Sequence, residues 1–317
     1  MYNLDPIYLK KRAKELGFIR DTFEKVLRLS SILQFLNTHP LLKEKLSLKG
    51  GTALNLIVFD LPRLSVDIDL DYTKPESKEE MMLNREKVDT VIQQQLESMG
   101  YVKSPKSKTP YSLDSTVYEY MNSGGNRDNI KIEINYSLRS HIFESEKRNL
   151  LSNLFPDKFE VTILSPIEIY AGKINALLNR SAARDLYDIW KMIDYDLFNT
   201  AEKRLLRKSV LFYKVISSKS ITSTFDTKGI ENITQRKIRR ELIPVIRTDD
   251  NFELDRAKRV VIEYINELMQ LSDSESEFLR QFKLKVYHPE LLFDDENIVQ
   301  RLLTHPMALW KTRKQDK

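Results

Sequence analysis

Lys49-Gly-Gly-Thr-Ala-Leu54 and, a little further on, Arg63-Leu-Ser-Val-Asp-Ile-Asp-Leu-Asp71 are the stretches whose reading decides the fold. The first follows the apolar run Leu46-Ser-Leu48, so the order is short strand, tight glycine turn, then a buried helix over 52–59 with Thr52 or Gly51 at its N-cap. The second alternates strictly. Val66, Ile68, Leu70 and Tyr72 share one face while Ser65, Asp67, Asp69 and Asp71 share the other, which is the period of a half-buried strand over 64–72.

Working outward, apolar residues at 16, 19, 23, 26, 27, 29, 33 and 36 predict an amphipathic helix over 16–36. Ser77-Lys-Glu-Glu80 resembles a capping box and opens a helix over 77–99. Two strands, 115–121 and 129–137, are joined by the turn-rich segment 122–128 and should form a hairpin. In the second, Ile130, Ile132 and Ile134 oppose Lys131, Glu133 and Asn135. Beyond Pro166 the pattern turns helical, over 167–178, 184–193, 202–213, 252–271 and 295–303. The expectation is an α+β protein: a mixed β-sheet flanked by helices in residues 1–165, then a mainly α-helical domain in 166–317.

Composition removes several chemistries. The 317 residues include no Cys, so disulfides, thiolate zinc sites and Cys nucleophiles are excluded, and a reducing, cytoplasmic setting is expected. The four histidines are scattered. The N-terminal residues mix charges with apolar side chains, and no stretch approaches ~18 uncharged apolar residues, so neither a signal peptide nor a membrane span is expected. The net charge of +5 lies entirely beyond residue 200, where 23 Lys+Arg face 18 Asp+Glu. Such lopsidedness suits a polyanion partner, although an ordinary solvated surface has the same signature.

Three constellations can carry chemistry. Asp67, Asp69 and Asp71 stand on one strand face at ~7 Å per two-residue step and repel one another, so a cation is expected nearby. Oxygen ligands at that spacing suit Mg²⁺, which takes one or two carboxylates and completes its shell with water and phosphates; an acidic edge strand without an ion is the alternative. Gly50-Gly51-Thr52 at a helix mouth lets the backbone approach a phosphate. A glycine turn, one helix and an aspartate-bearing strand is how nucleotidyltransferases place triphosphate beside metal. Glu133 could add a third carboxylate, with Asp71 as competitor. Finally, Lys173, Arg180 and Arg184 fall on one helical stripe. They would clamp a phosphate, or else Arg184, Asp185 and Asp188 pair internally.

Lys49-Gly-Gly-Thr-Ala-Leu54, Arg63-Leu-Ser-Val-Asp-Ile-Asp69, and Lys173 with Arg184-Asp-Leu-Tyr-Asp188 together resemble the signature of the AbiEii/AbiGii toxins, DNA-polymerase-β-like nucleotidyltransferases. Tyr287-His-Pro-Glu-Leu-Leu-Phe293 and His305-Pro-Met-Ala-Leu-Trp310 are also similar to that family, so the resemblance spans most of the chain in order. It implies the toxin of a bacterial toxin-antitoxin pair, some of them phage-defence systems, with an antitoxin encoded beside it. It further implies nucleotide transfer from NTP, in certain relatives to the tRNA acceptor end, which blocks translation. Carried over by position, Gly50, Gly51, Thr52, Ser65, Lys173 and Arg184 would bind nucleotide, and Asp67 and Asp69 would hold Mg²⁺. Lys173 and Asp188 would join them in catalysis. Ser65 marks a place where an inactivating phosphate could sit. The helices bearing Lys203, Arg204, Arg207 and Lys208, and Arg236, Lys237, Arg239 and Arg240, would hold RNA. Two other readings remain: nucleotidylation of a protein, and a nucleotide-binding regulator without transfer activity.

Overall fold

The computed structural model describes residues 2–151, 159–217 and 225–313. Among the described residues seven strands, β1 (Leu46–Lys49), β2 (Asp67–Tyr72), β3 (Val102–Lys103), β4 (Leu113–Met121), β5 (Arg127–Asn135), β6 (Glu146–Asn149) and β7 (Glu160–Ile163), form one mixed sheet. Their order is β3-β4-β5-β2-β1-β7-β6. The aspartate strand β2 is central, parallel to β5 and antiparallel to β1. The β4–β5 hairpin forms as the turn residues predict, closing at Met121 opposite Arg127. The short strands β3, β6 and β7 escaped the sequence reading because each is at most four residues, too brief for a period to show.

The chain divides into two compact units. The first comprises Met1–Arg139, Ser145–Leu164 and Pro244–Asp250; the second comprises Ser140–Glu144, Ser165–Ile243 and Asn251–Lys317. In the sheet unit, Arg20–Thr38 packs on β7, and Lys78–Ser98 lies beside β3 behind the capping box of Ser77 and Glu80. The fully buried Glu24 accepts hydrogen bonds from Ser123 N at 2.9 Å and Ser123 Oγ at 2.6 Å, pinning the hairpin turn to the Arg20–Thr38 helix. An unpaired buried carboxylate would cost several kcal/mol, so these donors and Arg28 are obligatory. The segment Pro244–Asp250 joins this unit through main-chain bonds such as Leu64 N to Val245 O, at 2.7 Å.

The second unit is helical, built on Pro166–Arg180, Ala183–Asp194, Thr200–Ser217, Leu254–Leu268 and Asp273–Lys283, with shorter helices between and after them. The segment Ser140–Glu144 is fastened to it by Glu168, whose carboxylate accepts from Ile142 N at 2.8 Å, Phe143 N at 3.2 Å and the Tyr213 hydroxyl. Burial pushes the Glu168 carboxyl up, but His141 and Tyr213, with the Ile142 amide, outweigh it and hold it below the ordinary glutamate range.

Candidate active site

β1 ends at Lys49 and the chain enters a helix at once, through a conformation that glycine adopts without steric cost: Gly50 has φ +69°, in the left-handed region. A Cβ on Gly50 would stand 3.1 Å from Asp69 Cβ and closer still to its Oδ2. The Asp69 carboxylate therefore lies directly over the turn, in a cradle that any side chain at Gly50 would fill. Gly51 is equally enclosed. A Cβ there would come within 2.6 Å of Arg63 Nη2 and 2.9 Å of Ser65 Oγ.

The helix that follows is not the regular one the sequence predicts. It runs Gly50–Ala53 and then widens into a π-helical turn, Leu54–Val58. Asn55 is the local reason, because its Nδ2 takes the Gly51 carbonyl at 2.7 Å, competing with the regular main-chain bond. The Thr52 hydroxyl donates to the Asp67 carbonyl at 2.5 Å, tying the first helical turn to the start of β2.

Sheet register sets the charges. Lys49, Asp69, Glu133 and Ser115 lie opposite one another across β1, β2, β5 and β4, and Asp67 lies opposite Lys131. The cation that three neighbouring aspartates demand is thus supplied by the protein itself. Lys49 Nζ meets Asp71 Oδ1 at 2.5 Å, and Lys131 Nζ meets Glu133 Oε1 at 2.8 Å. Burial raises the Glu133 carboxyl, but Lys131, Ser115 and the charge of Lys49 more than reverse this and hold it below the ordinary range. Asp71 is buried with its carboxylate on Lys49, whereas Asp67 and Asp69 are half-exposed.

Among the described residues no three acidic or His side chains are gathered into a ready metal set. Glu133, expected as a third metal carboxylate, is instead engaged by Lys131. A Mg²⁺ ion still fits this arrangement, since it needs only one or two protein carboxylates beside water and phosphate oxygens. Asp67 and Asp69 stand on one strand face beside the glycine cradle.

Ser65 is buried, its hydroxyl packed beneath Gly51 rather than displayed on an open strand face, because β2 begins only at Asp67. In the helical unit, the expected phosphate stripe carries its own anions. Lys173 Nζ lies 2.9 Å from Asp185 and 2.7 Å from Asp188, and Arg180 lies 2.8 Å from Asp185. Burial raises the Asp185 carboxyl, and Lys173 with Arg180 overcomes this to lower it. Arg184 is half-buried on the same helix. Of the expected RNA-holding cations, Lys203, Arg207 and Lys208 form ion pairs with Asp196, Glu275 and Asp294, at 2.9, 2.9 and 3.0 Å. Lys237 caps the carbonyl of Ser181 at 2.7 Å and Arg240 pairs with Glu241, while Arg236 and Arg239 are exposed.

Sequence reasoning passed over Lys49, Lys131 and the buried Arg63. Their roles depend on which strand lies beside β2, and only the non-local β1–β2–β5 pairing reveals that. The one available signal was the Lys immediately before Gly50-Gly51 and the Arg two residues before Ser65.

No helix among the described residues is long and apolar enough to cross a membrane. A search of curated protein sequences finds no match. Among solved structures, the chain is similar to the nucleotidyltransferase toxin MenT4 of Mycobacterium tuberculosis. The TM-score is 0.63 at 15% identity, covering 98% of this chain and 100% of that one, a likeness of fold. Residues 33–290, with both glycine-turn and aspartate motifs inside them, match the profile of the AbiEii nucleotidyl transferase toxin of type IV toxin-antitoxin systems. The chain therefore belongs to the AbiEii family and is a nucleotidyltransferase toxin whose system includes an antitoxin.

Proposed function

We propose that this toxin transfers a nucleotide from an NTP to the 3′-hydroxyl of an RNA, the acceptor end of tRNA foremost, and so blocks translation in the cytoplasm. The observation that carries the proposal is the Asp69 carboxylate resting over the left-handed Gly50, with Asp67 beside it on β2. Backbone N–H groups and acidic ligands are thereby brought together with no side chain between them, which is what a triphosphate and its cation need.

In this reading Asp67 and Asp69 hold Mg²⁺, and Gly50, Gly51 and Thr52 line the phosphates. When bound, the ion neutralises charge developing on the phosphoryl oxygens and orients the triphosphate. Lys49, opposite Asp69 in the register, keeps Asp71 engaged and limits repulsion among the acids. Glu133, held ionised by Lys131, Ser115 and Lys49, can accept the proton of the attacking hydroxyl, directly or through water. Within the helical unit, Lys173, Arg184 and Asp188 are proposed as functional residues, with Asp185 and Asp188 fixing the Lys173 ammonium. Arg236 and Arg239 supply exposed charge to the RNA backbone.

The experiment is incubation of the purified toxin with each labelled NTP, Mg²⁺ and total RNA. Label in RNA supports the proposal. Label appearing in protein alone makes a polypeptide side chain the acceptor, and nucleotide binding without transfer of label makes the chain a regulator.

A further inference from the structure

We infer that the C-terminal corner of the helical unit, around Trp310, is a stacking platform for an unpaired stretch of RNA. The inference rests on the RNA-acceptor reading above and adds to it where a single-stranded end is received.

Trp310 is 60% exposed in the helix Pro306–Thr312, and Leu309 beside it is also exposed. The other Trp of the chain, Trp190, is 8% exposed and packs against Tyr187 and Phe252, the ordinary fate of this side chain. A second segment is bound to the first. Lys285 Nζ donates to the Lys311 carbonyl at 2.6 Å, and Lys285, with φ +65°, turns the chain so that Leu284 and Val286 flank it, both exposed. Four apolar side chains thus surface on two adjoining segments.

Charge decides what covers them. Lys283, Lys285, Lys311 and Arg313 lie in or beside these segments, and no Asp or Glu occurs from Lys283 to Pro289 or from Asn297 to Arg313. The Lys311 ammonium lies 5.7 Å from the Trp310 ring centroid. An apolar ligand would bring no negative charge to this basic surface, and a folded acidic protein would offer the aromatic ring nothing in particular. A single-stranded polyanion with π-faces matches both, because bases stack on exposed aromatic rings while phosphates meet the surrounding cations. Double-stranded RNA, whose bases already stack on one another, gains only the charge.

The test uses the full-length toxin and an RNA hairpin with a short unpaired 3′ tail, beside the same hairpin without the tail. Trp310→Ala should weaken binding of the tailed hairpin roughly 5- to 150-fold, with Trp310→Phe recovering most of it. Binding of the blunt hairpin should stay unchanged. Lys283→Glu with Arg313→Glu should weaken both and flatten the salt dependence. Tailed RNA should quench the intrinsic fluorescence of wild type and leave that of Trp310→Phe, which retains only the buried Trp190, largely unaltered. Equal affinity of wild type and Trp310→Ala for the tail overturns the inference while leaving the transfer reaction intact. Loss of self-association or antitoxin binding in Trp310→Ala, with RNA affinity preserved, also overturns it and makes the surface a protein interface. Failure of the wild type to bind either RNA refutes the RNA-acceptor reading itself.

Discussion

Gly50→Ala tests the close approach on which the site is built. The substitution acts in two ways that can be separated. A side chain at φ +69° costs roughly 1–2 kcal/mol in the left-handed region. The new methyl also stands 3.1 Å from Asp69 Cβ and nearer to Oδ2, so Asp69 must leave its position, adding about 1–3 kcal/mol of overpacking. Together these should lower the melting temperature by roughly 4–20 °C, at about 2–4 °C per kcal/mol for a unit of this size. In a chain already carrying Asp69→Ala, the contact with the carboxylate is gone and only the backbone cost and the 3.1 Å approach to Cβ remain, so Gly50→Ala there should be milder by about 1–3 kcal/mol. The assay is thermal and urea denaturation of wild type, both single variants and the double variant. Additivity of the two substitutions within about 0.5 kcal/mol would refute the placement of Asp69 over the turn, because residues that do not touch do not couple. Nucleotide transfer by Gly50→Ala should fall with the displacement of Asp69, and faster than the folded fraction does.

Other substitutions separate structural from chemical acids. Asp71→Asn removes the partner of Lys49 at a buried position and should cost about 1–3 kcal/mol of stability while retaining substantial activity; a larger loss of activity than Asp67→Asn would put the metal pair in the wrong register. Lys173→Met leaves Asp185 and Asp188 buried without their shared cation and should destabilise by about 3–5 kcal/mol, part of it recovered by adding Asp188→Asn; an unchanged melting temperature would contradict the pairing. His305 is buried, with its imidazole pushed down to about 4 by burial and the neighbouring His141. The unfolded chain binds a proton near pH 6.5 and the folded chain does not. Its contribution to stability is therefore complete above that pH and lost as pH falls towards 4. His305→Asn keeps an acceptor for Ala308 N and removes the titration, so its melting temperature should decline less steeply over that window, as melts at stepped pH will show.

The legible parts of the sequence were those set by local rules. Alternation through Val66, Ile68, Leu70 and Tyr72 gave the central strand, the Gly50-Gly51 pair gave the turn, and Ser77 with Glu80 gave a true capping box. What stayed hidden is non-local. The register that puts Lys49 beside Asp69 and Glu133 depends on strands separated by tens of residues, and no spacing along the chain encodes it. Lys173 likewise looked like a cation awaiting phosphate because Asp185 and Asp188 belong to the next helix. The repulsion expected among three aspartates is softened for the same reason: Lys49 arrives from β1 to pair with Asp71.

The most direct test of the central claim is transfer of labelled nucleotide to RNA by wild type, Asp67→Asn and Asp69→Asn, each first shown to melt like wild type without ligand. An amide is a poor Mg²⁺ ligand, so the account predicts transfer by wild type and a loss on the order of 10³-fold or more in both variants. Transfer at near wild-type rates by either variant would contradict it, and the pair of carboxylates beside the glycine turn would then not be the catalytic centre.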